Sequence, residues 1–259
     1  MTAEGDVDSW LKAGSRAGGE CRFGTWVKIP ALETVEMLGH AGFDFVVIDM
    51  EHALHSLQTA YQCIVQAQAA GMAALVRMPD HSAALAQKLL DAGADGLLIP
   101  RVESAEAARR ALSGMCFPPH GSRGMGYTSR AAMWGADSVA TYLERGRTGV
   151  TRIAQLEDAG AIGEIEQICA APGLDAVFIG FGDLMLSTGL PRNDPAIQAM
   201  EQQVLATAAA HGRPVGTAVQ SPKDALACRD AGYSFVMISA DTTIFSLGAR
   251  GLMSELTAG

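Results

Sequence analysis

The chain is predicted to fold as a single α/β domain, a TIM or (β/α)8 barrel, on three observations. Its 259 residues sit close to the roughly 250 typical of that fold. Short β-branched or apolar runs alternate with longer Ala/Leu/Gln-rich segments of helical spacing, which signals βαβ units and a parallel sheet. The apolar runs number about eight, enough to close a barrel.

Taken in order, residues 1–22 read as a flexible N-terminal segment carrying Gly14, Gly18 and Gly19. Strands are expected from Gly24 to Ile29, Phe43 to Asp49, Ala73 to Met78, Gly96 to Pro100, Arg152 to Glu157, Ala176 to Gly180, Pro214 to Val219 and Phe235 to Ser239. A phrase recurs before three of them: His40-Ala-Gly-Phe-Asp, Asp91-Ala-Gly-Ala-Asp and Asp230-Ala-Gly-Tyr-Ser. Each reads as a helix end, a glycine able to take the left-handed conformation, then a strand. A looser copy begins at Pro172-Gly173. These phrases signal architecture and carry no chemistry. Residues 113–149 break the rhythm and read as a long loop or helical insertion, of the kind that serves function or subunit contact.

Composition narrows the function. Hydrophobic residues at 49% and charged residues at 18% predict an ordered globule. A net charge of -9, with no Lys/Arg cluster interleaved with aromatics, argues against nucleic acid as a partner. Five scattered cysteines without CxxC spacing argue against a zinc knuckle or a disulfide framework and fit a reducing cytoplasm. The opening residues lack a signal-peptide core, and no run of about 18 uncharged apolar residues follows, so neither secretion nor membrane insertion is expected.

Barrel enzymes carry their chemistry at the C-terminal ends of the strands. That filter selects Asp49, Glu51 and His52 after strand two, Arg77 after strand three and Arg101 after strand four. It also selects Gln155, Glu157 and Asp158 after strand five, Gly180 to Asp183 after strand six, and Asp241 after strand eight. Glu157 and Asp183 come from neighbouring strands, and two carboxylates facing each other repel unless a proton or cation intervenes. Oxygen ligands of this kind suit Mg2+, Mn2+ or a similar divalent ion. Taken alone, two such acids serve equally well as solvated or capping groups. Gln155 adds weight to the metal reading, because side chains two apart on a strand share a face.

A buried Arg77 must find an anion, either Asp49 or Glu51 at rest or a developing enolate oxygen during reaction. His52 suits general acid or base work near neutrality, whereas His55, His81, His120 and His211 follow no strand run and are read as inert. Asp91 is a polar residue near a helix C-terminus. Gly180-Phe181-Gly182 permits close backbone approach to an anionic ligand at a helix start.

Together, Val47-Ile-Asp-Met-Glu-His52, Val76-Arg-Met-Pro79, Phe117-Pro-Pro-His-Gly-Ser-Arg-Gly-Met-Gly126, Gln155-Leu-Glu157 and Phe178-Ile-Gly-Phe-Gly-Asp-Leu184 closely resemble the HpcH/HpaI aldolase family. The resemblance runs from about Phe23 to about Leu252. It implies a barrel of the phosphoenolpyruvate/pyruvate-domain type and a class II aldolase. Such an enzyme cleaves a 4-hydroxy-2-oxo acid reversibly into pyruvate, or a related 2-oxo acid, and an aldehyde through a metal-stabilised enolate.

By position, the resemblance makes Glu157 and Asp183 ligands of Mg2+, Mn2+ or Co2+, and gives Arg77 to the 2-oxo group. His52 becomes the base, supported by Asp49 and Asp91, the latter across a subunit boundary. Gly180, Phe181, Gly182 and Asp183 receive the substrate carboxylate, with Gln155 beside them. The resemblance further implies a homohexamer built as a trimer of dimers, with Arg123 near the site, and gives Lys28 no Schiff-base role. Where relatives carry Gly-Pro-x-Asp-Leu-Ser, this chain has Phe181 and Met185, which leaves donor preference open. Two other readings stand beside the aldolase: an oxaloacetate-type decarboxylase or other lyase using the same site, and a noncatalytic barrel.

Overall fold

The computed structural model describes residues 21–257, so the expectation for the N-terminal segment falls almost entirely outside the described residues. Eight parallel strands close a barrel in sequence order, with β1 paired to both β2 and β8. They are β1 Arg22–Val27, β2 Phe45–Asp49, β3 Ala73–Arg77, β4 Gly96–Ile99, β5 Thr151–Leu156, β6 Ala176–Ile179, β7 Val215–Val219 and β8 Phe235–Ala240. All eight expected strands are present. Strand β1 is displaced at both ends: it starts at Arg22 and stops before Lys28. The Lys28 and Ile29 amides leave the sheet and donate to the buried Asp241 carboxylate at 3.0 and 2.8 Å.

The helices are α1 Leu32–His40, α2 Leu57–Ala69, α3 Ala83–Asp91, α4 Ala105–Ser113, α5 Val139–Thr148, α6 Ala159–Gly163, α7 Ile165–Cys169, α8 Phe181–Thr188, α9 Pro195–Ala210, α10 Pro222–Asp230 and α11 Asp241–Thr257. Several begin at side-chain caps, including Ser56, Ser82, Ser104 and Ser221, each accepting a hydrogen bond from an amide in the first turn. The repeated Ala-Gly phrases end helices as expected, with φ of 91° at Gly42, 89° at Gly93 and 98° at Gly232.

Strand alternation sorts side chains into two cores. One parity points to the barrel axis, where Phe45, Val47, Leu75, Leu98, Ile153, Phe178, Phe235 and Met237 form a packed plug. The other parity points outward, so that Val46, Ile48, Val76, Ala154, Val177 and Val236 pack with the helices. The inward row continues past the plug at the carboxyl ends of the strands, and there it becomes polar.

Residues 113–149 are partly helical. A 3₁₀ turn, Arg130–Gly135, and α5 enclose a small core of Phe117, Ala132 and Tyr142. At the other end of the chain, α11 buries only Asp241 and exposes Phe245, Leu252, Met253 and Leu256. No helix of the described residues is long and apolar enough to cross a membrane.

The plug leaves no spare volume at β7. A Cβ on Gly216 would overlap the Phe235 ring, so Gly216→Ala is expected to destabilise the fold by about 1–3 kcal/mol through overpacking. Urea unfolding should show the midpoint falling with the slope unchanged.

Candidate active site

The polar end of the barrel begins with Asp49, two residues beyond Val47 on the inward face of β2 and fully buried. Arg77 occupies the equivalent place on β3, two beyond Leu75, and β2 pairs with β3 with Asp49 opposite Arg77. The guanidinium therefore meets the carboxylate in a fork, Nε to Oδ1 at 3.0 Å and Nη2 to Oδ2 at 2.7 Å. Lys28 Nζ adds a contact to Oδ2 at 2.9 Å, and the amides of Glu51 and His52 each donate to Oδ1 at 3.1 Å. Burial by itself would raise the Asp49 carboxyl. The Arg77 hydrogen bonds and charge, then Lys28 and the His52 amide, outweigh it and hold the group well below the usual carboxylate range.

Arg77 is held on three sides. Its guanidinium lies 4.2 Å from the Trp26 ring centroid, and Nη1 stands 3.2 Å from Glu51 Oε2. Both resting partners expected for Arg77 are thus present at once. His52 is on the rim, its side chain 57% exposed, with Nε2 3.8 Å from Glu51 Oε2.

Across the mouth, the inward row of β5 runs Ile153, Gln155, Glu157. Glu157 is buried. It accepts from the Gln155 amide and, at 2.9 Å, from the main-chain N–H of Arg101. Arg101 presents that N–H from a left-handed conformation, φ 48°, an unusual backbone state for a non-glycine residue and one found at functional positions. Burial pushes the Glu157 carboxyl up to about 7 against the Arg101 hydrogen bond, and the charges of Asp183 and Glu51 push the same way.

Asp183 lies in the first turn of α8, is exposed, and shares with Glu157 a cavity of about 360 Å³. Glu51, His52, Arg101, Glu103, Leu186 and Ser187 also line this cavity. Helix α8 starts at Gly180 without a side-chain cap, so its first N–H groups have no side-chain acceptor there. A Cβ on Gly180 would stand 2.7 Å from Glu157 Cγ; glycine is the residue that lets Glu157 and the helix start share this space.

These residues fit a divalent ion. Glu157 and Asp183 are hard oxygen donors whose mutual repulsion a cation relieves. The Gln155 Oε1 atom beside them is buried without a hydrogen-bond partner. Among the described residues no three His, Cys, Asp or Glu side chains close on one point; an ion held by these two acids would keep its other positions open to a chelating ligand.

Within one chain, several of the expected site residues have other surroundings. Asp91 ends α3, which runs antiparallel to the strands and so finishes at the amino-terminal end of the barrel. There it pairs with Arg123 Nη2 at 2.9 Å and lies 3.5 Å from the Tyr142 hydroxyl, so within one chain neither Asp91 nor Arg123 adjoins His52. Asp49 accepts from the main-chain N–H of His52, whereas the imidazole is directed to Glu51. Phe181 and Met185 do not line the cavity: the Phe181 ring packs on the outer core under the Arg192 guanidinium, 3.7 Å from its centroid.

Strand-end position alone singles out Arg101 without assigning it a task, and the sequence reading gives Lys28, Trp26 and His55 no part in the site. Strand parity marks Trp26 and Lys28 as inward, and that signal was available. His55, read as inert, is buried with Nε2 3.2 Å from Val27 O; burial lowers its pKa. A second cavity of about 310 Å³, lined by Asp95, Arg123, Arg130 and Trp134, lies at the opposite end of the barrel, where no strand terminus delivers a reactive group.

The fold is a closed (β/α)8 barrel with a charged mouth at the carboxyl ends of its strands. Comparison with known proteins gives the family: residues 22–246 match HpcH/HpaI aldolase/citrate lyase, and the chain belongs to it. It is 33% identical over 235 residues to the 2-dehydro-3,6-dideoxy-6-sulfogluconate aldolase of Pseudomonas putida, covering 90% of this chain and 91% of that one. It is 32% identical over 238 residues to the 5-keto-4-deoxy-D-glucarate aldolase of Salmonella arizonae, covering 91% and 92%. The crystal structure of an HpcH/HpaI aldolase/citrate lyase family protein from Burkholderia cenocepacia superposes with a TM-score of 0.88 at 32% identity, over 96% of this chain and 99% of that chain.

The raised Glu157 carboxyl has a consequence for stability. The folded chain binds this proton more tightly than the unfolded one, so the metal-free protein should lose stability as pH rises from the ordinary 4.5 through about 7. Glu157→Gln removes that slope. Thermal unfolding in EDTA should show the variant more stable than the parent at pH 8, with the gap narrowing toward pH 5.

Proposed function

We propose that the protein is a class II, divalent-metal-dependent carbon–carbon lyase. It would cleave a 4-hydroxy-2-oxo acid reversibly to pyruvate, or a related 2-oxo acid, and an aldehyde. The observation that carries this reading is a buried Arg77, fixed by Asp49, at the same barrel mouth as the Glu157–Asp183 pair and the open start of α8. Glu157 and Asp183 would hold Mg2+, Mn2+ or Co2+, and that ion supplies Lewis-acid polarisation of the 2-oxo group.

The chain's own groups divide the remaining work. The free N–H groups at Phe181, Gly182 and Asp183 receive the substrate carboxylate, favoured by the helix dipole. Gln155 fills the gap beside Glu157. When the C3–C4 bond breaks, its electron pair moves toward C2 and negative charge grows on the 2-oxo oxygen, where the Arg77 charge is already fixed and needs no reorganisation. His52 stands on the rim, at the boundary with solvent, and takes the C4 hydroxyl proton through water; protonation at C3 then gives the methyl group of pyruvate. Lys28 is occupied with Asp49 and forms no Schiff base. A 2-oxo-3-deoxy sugar acid of the kind named for the relatives is the substrate class to test first.

We extend the proposal to assembly and location. A homohexamer, a trimer of dimers, would bring the Asp91–Arg123 cluster of one copy toward His52 of another; the exposed apolar side chains of α11 support self-association. The free cysteines, four of them buried, fit the cytoplasm.

Glu157→Gln and Asp183→Asn should each abolish turnover in a coupled assay of pyruvate release, with far-UV circular dichroism unchanged; parental rates in either variant reject the ligand assignment. EDTA should silence the parent and Mn2+ restore it. Arg77→Lys keeps a cation on Asp49 but loses the fork, and a loss of roughly 10²–10³ in kcat is expected, the cost of removing an aimed donor. Oxaloacetate belongs in the same panel: its preferential consumption would transfer the site to decarboxylation. Sedimentation equilibrium should give six times the chain mass.

A further inference from the structure

The β1–β4 side of the mouth carries an alternating row of charge. Lys28 Nζ is 2.9 Å from Asp49 Oδ2, and Asp49 takes the Arg77 fork at 3.0 and 2.7 Å. Arg77 Nη1 is 3.2 Å from Glu51 Oε2, and Glu51 Oε1 is 3.4 Å from Arg101 Nε. The sequence of signs is plus, minus, plus, minus, plus.

The ends of this row decide what its centre can do. Asp49, Arg77 and Glu51 alone sum to one negative charge, so an oxyanion approaching the guanidinium would also approach two fixed carboxylates. Lys28 and Arg101 each share one of those acids and turn the sum to one positive charge. The two ends are unequal. Arg101 has a side chain 61% exposed, where solvent screens its charge. Lys28 is 26% exposed and rests on a carboxylate that is fully buried, where screening is weak.

Lys28 is also held in place from several directions. Its amide donates to both Asp241 oxygens at 3.0 Å and the next amide donates at 2.8 Å. The preceding carbonyl, that of Val27, is in hydrogen-bond contact with His55 Nε2 at 3.2 Å. Trp26, two residues earlier on the same inward parity, carries the Arg77 guanidinium on its ring. The end of β1 therefore supplies both the surface beneath Arg77 and the cation that shares its counter-ion.

We propose that Lys28 is a positioning residue for enolate formation. By taking part of the Asp49 charge it leaves the Arg77 charge available to the developing oxyanion, and it acts through Asp49 without touching substrate. This rests on the aldolase reading, and the experiment separates the two.

Exchange of the pyruvate methyl hydrogens for deuterium in D2O, followed by mass spectrometry with Mn2+ present, reads enolate formation without any aldehyde. Lys28→Met and Lys28→Gln should each slow kcat for exchange by about tenfold or more while KM for pyruvate moves less than about threefold, the pattern of an interaction made in the transition state. Lys28→Arg should restore most of the rate. Thermal unfolding of all three variants is recorded alongside. Parental exchange rates in the Met and Gln variants overturn the proposal. So does a rate loss that Lys28→Arg fails to rescue, or a rise in KM with kcat intact, which would make Lys28 a direct substrate contact. If the parent itself exchanges nothing, the aldolase reading falls and takes this inference with it.

Discussion

The buried Asp49 carboxylate organises the mouth of this barrel. A charge removed from water costs several kcal/mol unless it is paired and hydrogen-bonded, and here it draws a guanidinium fork, an ammonium group and two amides onto two oxygens. Satisfying that one group fixes the end of β1, the turn after β2 and the side chain at the end of β3. Arg77 is consequently immobile before any ligand arrives, which is the condition under which a charge stabilises a transition state without reorganising.

The opposite wall follows another logic. Glu157 is buried with little compensation, facing Asp183 and Glu51, and its carboxyl is raised to about 7. The left-handed Arg101 backbone and the absent Cβ at Gly180 both serve to keep Glu157 where it is. One wall is thus a completed ionic array and the other an unresolved repulsion between acids. A cation bound at the second wall and an anionic oxygen directed to the first would complement both, and the polarity of the proposed chemistry follows that division.

The plug beneath separates this mouth from the rest of the molecule. Phe45, Phe178 and Phe235 pack edge-on or tilted against one another with centroids 6.2–6.3 Å apart, and Trp26 stands edge-on to Phe178 at the top of the layer. At the carboxyl ends of the strands the inward row passes from this apolar layer to Asp49, Arg77, Gln155 and Gly180. The active end is the same inward row continued past the point where hydrophobic packing stops.

That continuity is why so much could be read from the sequence. A period of two fixes which side chains share a face, and the apolar runs mark where each strand ends, so the sequence alone assigns Asp49, Arg77, Gln155 and Glu157 to one mouth. The left-handed glycines at Gly42, Gly93 and Gly232 were equally local, since backbone sterics alone dictate them. What the tertiary structure decided were the contacts made at long sequence separation. Nothing near Asp91 in the chain says that it turns to Arg123 at the far end, that Asp241 pulls the Lys28 amide out of β1, or that Arg192 covers Phe181 and removes its ring from the cavity. Each depends on which charged groups the closed barrel brings within a few ångströms, and electrostatic pairing acts through space, whereas the pattern in a sequence records only neighbours along the chain.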